Sequence, residues 1–177
     1  MRKDWHGLLK IIEINCVDKD KNVLWSKQNL YNTFHTKGEQ YILTAAFVGG
    51  NTSNVYIPSN FYFGLDNRSA ISADDTMDTI QYFGSEPSGN GYSRVAVSSY
   101  ATFEVSISGS HYLAYGPVIS FSASGGSWGP VQNMFLATSI DNTGTLISSV
   151  ALDQPISTMD SGNSINVRMG LSLADCP

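Results

Sequence analysis

The chain has 177 residues, 42% of them hydrophobic and 14% charged, and a formal net charge of −5. This composition excludes an intrinsically disordered chain, and the length suffices for a single domain, residues 1–177, that buries a core without disulfide or metal staples. The acidic balance, with the few lysines gathered near the amino end, also argues against free DNA or RNA as a partner, because a nucleic-acid surface needs a basic patch.

Residues 1–7 are basic at the start, carry Trp5, and read either as an N-terminal arm that orders on a neighbour or as a frayed terminus. They are followed by no long apolar h-region and no small-residue cleavage site, and no run is long enough to span a membrane as a helix. The expectation is therefore a soluble protein made in a cytosol. Cys16 and Cys176 form no CxxC and have no histidine at zinc spacing. They read as free thiols, and a bridge between them is not decided by sequence.

Residues 8–25 suggest a hairpin. Asp18, Asp20 and Asn22 imitate the opening of a calcium loop, but Val23 and Asn29 stand where such a loop needs glycine and glutamate, so the segment reads as a turn. Thr36 and Glu39 form a T-x-x-E capping box, predicting a helix over about 37–47 that buries Ile42, Ala45 and Ala46 and ends at Gly49-Gly50. Residues 51–60 read as loop and 61–67 as strand. Ser72 and Asp75 give a second N-cap signature, opening a helical turn near 73–80 with Met77 and Ile80 inward. Residues 84–91 are loop by their Pro and Gly content.

Alternation returns at 92–99, with Val95 and Val97 inward, and at 102–108, where Phe103, Val105 and Ile107 share one face. The unit 119–152 reads as strand, glycine-rich hairpin turn, strand, turn and strand. Its middle run, with Val131, Phe135 and Ala137 on one parity and Met134 and Leu136 on the other, is expected to be covered on both faces. Asn142 and Gly144 suit a turn with left-handed backbone angles. In its third run, Leu146, Val150 and Leu152 alternate with polar residues. The segment 164–173 alternates most cleanly, with Ile165, Val167, Met169, Leu171 and Leu173 on one side. About eight or nine strands with polar turns predict a mainly β protein, an antiparallel β-sandwich or jelly-roll-like fold.

Chemistry-bearing patterns are few. Gly125-Gly126-Ser127-Trp128-Gly129 matches the G-x-S-x-G nucleophile elbow, but that motif needs a strand-to-helix turn in a parallel sheet, and all three histidines precede the serine. It reads as a turn in which Trp128 covers the end of the core. Asp74, Asp75 and Asp78 read as acids favouring a helix start. His35 and Glu39 stand four apart without a second histidine at metal spacing and read as a solvated helix start. Glu86 and Arg94 read as a structural ion pair. Asn51-Thr52-Ser53 and Asn67-Arg68-Ser69 match the glycosylation pattern, which matters only in a secreted chain. No catalytic, cofactor or metal residues are assigned. The tyrosines near loops and on polar strand faces, with the N-terminal tryptophan, make Trp5, Tyr56, Tyr62, Tyr112 and Tyr115 the candidates for a protein–protein interface.

The segments 29–43, 61–72, 86–97 (EPSGNGYSRVAV), 119–138 (ISFSASGGSWGPVQNMFLAT) and 164–173, in this order, resemble a set of small β-sandwich structural proteins of tailed bacteriophages, the capsid decoration and tail-fibre-like group. EPSGNGYSR and SGGSWGPV are the sharper parts of the likeness. The resemblance implies a non-enzymatic virion component without cofactor. Its partners would be the major capsid protein or other virion proteins, as a homo-oligomer, with neither free nucleic acid nor membrane. It carries no catalytic residues over, and both shell and tail positions fit it. A glycan-binding module and an enzyme remain as alternatives from other classes.

Overall fold

The computed structural model describes residues 7–31, 33–45, 58–98, 104–108 and 111–173. Among the described residues the chain is mainly β, with ten strands in two five-stranded antiparallel sheets and two short helices. The front sheet has the order β2 (Val23–Tyr31), β1 (Gly7–Val17), β10 (Ser164–Leu173), β7 (His111–Ser122), β6 (Glu104–Ser108). The back sheet has the order β3 (Thr33–Phe34), β9 (Leu146–Ile156), β8 (Val131–Ala137), β4 (Asn60–Asp66), β5 (Val95–Ser98).

The clean alternation of β10 produces its position. Ile165 and Val167 point into the space between the sheets and are buried, while Asn166 and Arg168 face outward. The same space receives Ile11, Ile14 and Phe121 from the front sheet and Phe63, Leu65, Met134 and Val150 from the back sheet. Each such side chain contributes about 1.5–3 kcal/mol on full burial, which fixes the register because a one-residue slip would turn the whole set outward.

The strand β8 is covered on both faces. Met134 and Leu136 lie in the inter-sheet core, while Phe135 and Ala137 join Ile71, Met77, Ile80 and Leu146 in a second, smaller cluster behind the back sheet. That second cluster exists because α2 (Met77–Phe83) lays its apolar stripe there. Gly64, opposite Phe135 in the β4–β8 ladder, leaves room for the ring; a Cβ there would overlap it.

The other helix, α1 (Thr36–Leu43), rests on β9, and Gly38 is buried where any Cβ would overlap the Ile147 carbonyl. Glycine here permits a helix to touch a strand backbone to backbone. Because α1 covers it, the first half of β9 is buried on both parities, Leu146 through Val150, instead of alternating as expected.

Several local expectations are corrected. Thr36 is not a cap: His35 holds the N-cap position, and the Thr36 hydroxyl donates to Asp74 at 3.1 Å. Beyond Ala45, the expected end of this helix lies outside the described residues. The second helix starts at Met77 rather than near 73. Its capping box is Thr76 with Thr79, and Ser72 with Asp75 makes a preceding turn in which the Ser72 amide donates to the Asp75 carboxylate at 2.8 Å. The glycine-rich turn is no hairpin, since β7 and β8 belong to different sheets and residues 123–130 cross between them. The β8–β9 connection is a hairpin, but neither Asn142 nor Gly144 has a positive φ. Asp141 shapes that turn, accepting from the Ser139 and Thr143 hydroxyls at 2.6 Å each and from the Thr143 amide at 2.9 Å. These bonds hold its carboxyl down at about 2.

Candidate functional site

Four polar constructions stand out, and each begins in a local sequence feature. The loop after α2 brings Glu86 to Arg94 at the start of β5. The Arg94 Nε donates to Glu86 at 3.0 Å, and its remaining nitrogens reach the Asp141 carbonyl at 2.6 Å and the Asn142 side chain at 2.5 Å. The guanidinium also lies 5.3 Å over the Phe135 ring. Glu86 further accepts from the Tyr92 hydroxyl at 2.8 Å, and that hydroxyl accepts from the Leu65 amide at 2.9 Å. Burial, and secondly the Glu86 charge, push the Tyr92 phenol far above its ordinary value, so it stays protonated as a donor. Arg94 is only 5% exposed. The pair expected from sequence is therefore a buried clamp that joins the 84–91 loop to the β8–β9 turn.

The second construction was not legible in the sequence. Asp66, fully buried at the end of β4, accepts from the Ser85 hydroxyl, from the Arg68 amide at 2.9 Å and from the Arg68 Nε at 3.2 Å. Arg68 reaches on to Asp75 at 3.2 Å and stacks 5.3 Å from the Phe83 ring. The acidic cluster is thereby dispersed. Asp75 binds Arg68, Asp74 accepts from Thr36, and only Asp78 sits in the first turn of α2. The D-x-R spacing was the one available signal.

His35 corrects the expectation of a solvated helix start. It is fully buried, with Nε2 2.9 Å from the Ser149 hydroxyl of β9. Among the described residues, its Nδ1 and the neighbouring Ser148 hydroxyl have no hydrogen-bond partner. Burial holds the imidazole below its usual value. Histidine and serine at this distance have the geometry of a base and a nucleophile, but both are sealed under α1. The nearest large groove, about 420 Å³, is lined by Lys37, Gln40, Tyr41, Thr76 and Thr145 and does not include either of them.

The fourth is Ser127 of the G-x-S-x-G match. Its exposed hydroxyl donates to Asp160 at 3.2 Å. The segment is a crossover between sheets, not a strand-to-helix elbow. Trp128 closes the end of the core, paired through both backbone groups with Met159 and packed edge-on to Tyr92 at 5.7 Å. The segments EPSGNGYSR (86–94) and SGGSWGPV (124–131) are bonded to each other here. The Asn90 side-chain amide donates to the Ser127 carbonyl at 2.6 Å, and the Ser124 amide to the Asn90 carbonyl at 2.8 Å.

Cys16 is a buried free thiol whose pKa burial raises, 3.7 Å from the Met159 sulfur, and Cys176 lies outside the described residues. Among the described residues, no three His, Cys, Asp or Glu side chains are grouped to hold a metal, and no helix is long and apolar enough to cross a membrane. The Asp18 segment is the β1–β2 turn: its carboxylate accepts from the Asp20 and Asn22 amides at 2.8 and 2.9 Å.

Of the five interface candidates, the two whose side chains are described lie in different sheets. Tyr62 is partly buried in the back sheet between β5 and β8, and Tyr115 is partly buried in the front sheet under the Arg168 guanidinium at 5.4 Å. Trp5, Tyr56 and the side chain of Tyr112 lie outside the described residues. The apolar groups that face solvent among the described residues include Tyr82, 84% exposed and set edge-on to Phe83, and Val105 and Ile107 on β6. Tyr82 belongs to the tyrosines near loops that the sequence already offered, whereas Val105 and Ile107 were missed because that reading weighed aromatic identity rather than position at a sheet edge.

By class, then, this is a two-sheet antiparallel β protein with short helices packed on its back sheet. Compared with known protein families, curated proteins and solved structures, the chain matched none.

Proposed function

We propose that the chain is a non-enzymatic structural protein of a bacteriophage virion, a capsid decoration (cement) protein that stabilises the shell. Its partners would be the major capsid protein and further copies of itself. The observation that carries the reading is how the ionic side chains are used. Arg68, Arg94, Asp66 and Glu86 are tied inward to hold loops on a rigid scaffold, while apolar groups such as Val105, Ile107, Tyr82 and Phe83 face solvent. The phage-like segments 86–97 and 119–138 lie in this scaffolding, which supports a likeness of building piece rather than of reactive centre. Such a protein acts by mass action: it binds the assembled shell and not its free subunits, so occupancy raises the shell's resistance to heat and internal pressure.

Copy number and position on the purified particle test the reading. Quantitative protein analysis should give an icosahedral multiple, and labelled particles should show density over the shell. A ring multiple with density at the tail would replace it with the second reading, a tail, baseplate or fibre component, which the same resemblance accommodates. Absence from the particle would overturn both.

A further inference from the structure

We infer that β6 is a self-pairing edge: two copies of the chain join antiparallel through this strand about a two-fold axis at Ser106, extending the front sheet across the dimer. The inference gives a surface to the homo-oligomer of the preceding reading, and its failure leaves the particle test untouched.

Among the described residues β6 pairs with β7 alone, so its outer row of backbone donors and acceptors faces no strand. Such edges usually carry protection in the form of lysine, proline, a bulge or brevity. The other edges here have it. At the far side of the same sheet β2 carries Lys27 and breaks its row at Asn29, whose φ is 61°. In the back sheet β3 has 2 residues and β5 has 4. The β6 sequence, Glu-Val-Ser-Ile-Ser, has no lysine or proline, and its register with β7 is unbroken.

The strand is also complementary to itself. With the axis at Ser106, Val105 meets the partner's Ile107, and Glu104 meets the partner's Ser108. Apolar groups oppose apolar groups, and the two Glu104 carboxylates do not oppose each other. An axis at Val105 or at Ile107 leaves one of the two apolar residues outside the pairing. An axis between residues sets the inner face of one copy beside the outer face of the other. A contact in which each copy offers the same patch is the isologous interface that two-fold symmetry requires. Val105 and Ile107, 69% and 67% exposed in the single chain, would join their counterparts in one four-residue apolar patch.

Sedimentation of the full chain tests this. The expected result is a dimer that Ile107→Lys converts to monomer, with the thermal midpoint of the wild-type chain measured below the dimer's dissociation range, since the side chain is exposed in the single chain. In a Cys176→Ser background, Ser106→Cys should give a covalent dimer with a short thiol crosslinker. Ser122→Cys, on the outer face of β7, should not. A wild-type protein that stays monomeric at its highest soluble concentration would overturn the inference, as would an oligomer that Ile107→Lys leaves intact.

Discussion

The strands β10 and β6 carry the same message in sequence and meet opposite fates. Both alternate apolar with polar residues, yet Ile165 and Val167 of β10 are 0% and 1% exposed while Val105 and Ile107 of β6 are 69% and 67% exposed. The difference lies in sheet order. β10 sits between β1 and β7 at the centre of the front sheet, opposite the back sheet, whereas β6 is the outermost strand. Alternation thus tells which side chains share a face, and tertiary position alone decides whether that face is covered.

That contrast between filled interior and bare edge can be pressed experimentally. Glu86→Ala should have the largest effect, about 3–5 kcal/mol by urea unfolding, because it strands the Arg94 charge inside the protein and deprives Tyr92 of its acceptor. Ile165→Ala should cost roughly 2–5 kcal/mol, the range for emptying a packed core site. A loss below about 0.5 kcal/mol there would deny that β10 is central.

Acid should act on the interior through His35. Its folded value lies below 6.5, so the folded state prefers the neutral ring while the unfolded chain takes up a proton near 6.5. The contribution is complete above 6.5 and is lost as pH falls from there toward the folded value, by at most about 1.4 kcal/mol per pH unit. The unfolding midpoint should therefore drop between neutral and mildly acid buffer, and drop less in His35→Gln. An equal drop in both would assign the acid response elsewhere. The smallest effect belongs to the edge: Ile107→Ala should change monomer stability by no more than about 0.5 kcal/mol, measured below the dimer's dissociation range. A core-sized loss would mean that β6 is covered after all.

The two-sheet architecture was readable because period-2 runs are long and each parity is consistent, as in 164–173, and because β8 advertises apolar residues on both parities. The Glu86–Arg94 pair was readable from a short loop that brings opposite charges together. Helix starts were misplaced by one to several positions: the Thr36 hydroxyl is taken by Asp74, and Ser72 with Asp75 closes a separate turn ahead of the helix. His35 was misread for a related reason: nothing local announces that α1 will press onto β9, where Gly38 meets Ile147 and the His35 amide donates to the Ile147 carbonyl at 3.0 Å. The Asp66–Arg68–Asp75 chain and the bare β6 edge depend on which strands become neighbours, which a single sequence does not state.

The placement of β10 has a bearing on biogenesis. It joins β1, near the beginning of the chain, to β7, and the ladder runs from Gly7 opposite Leu173 to Val17 opposite Ser164. Until β10 leaves the ribosome, the β1–β2 and β6–β7 hairpins lack the strand that joins them and the inter-sheet core lacks Ile165, Val167 and Met169. Closing so long a loop is slow relative to local pairing. A nascent chain that has not yet released β10 therefore presents two unjoined hairpins to its surroundings.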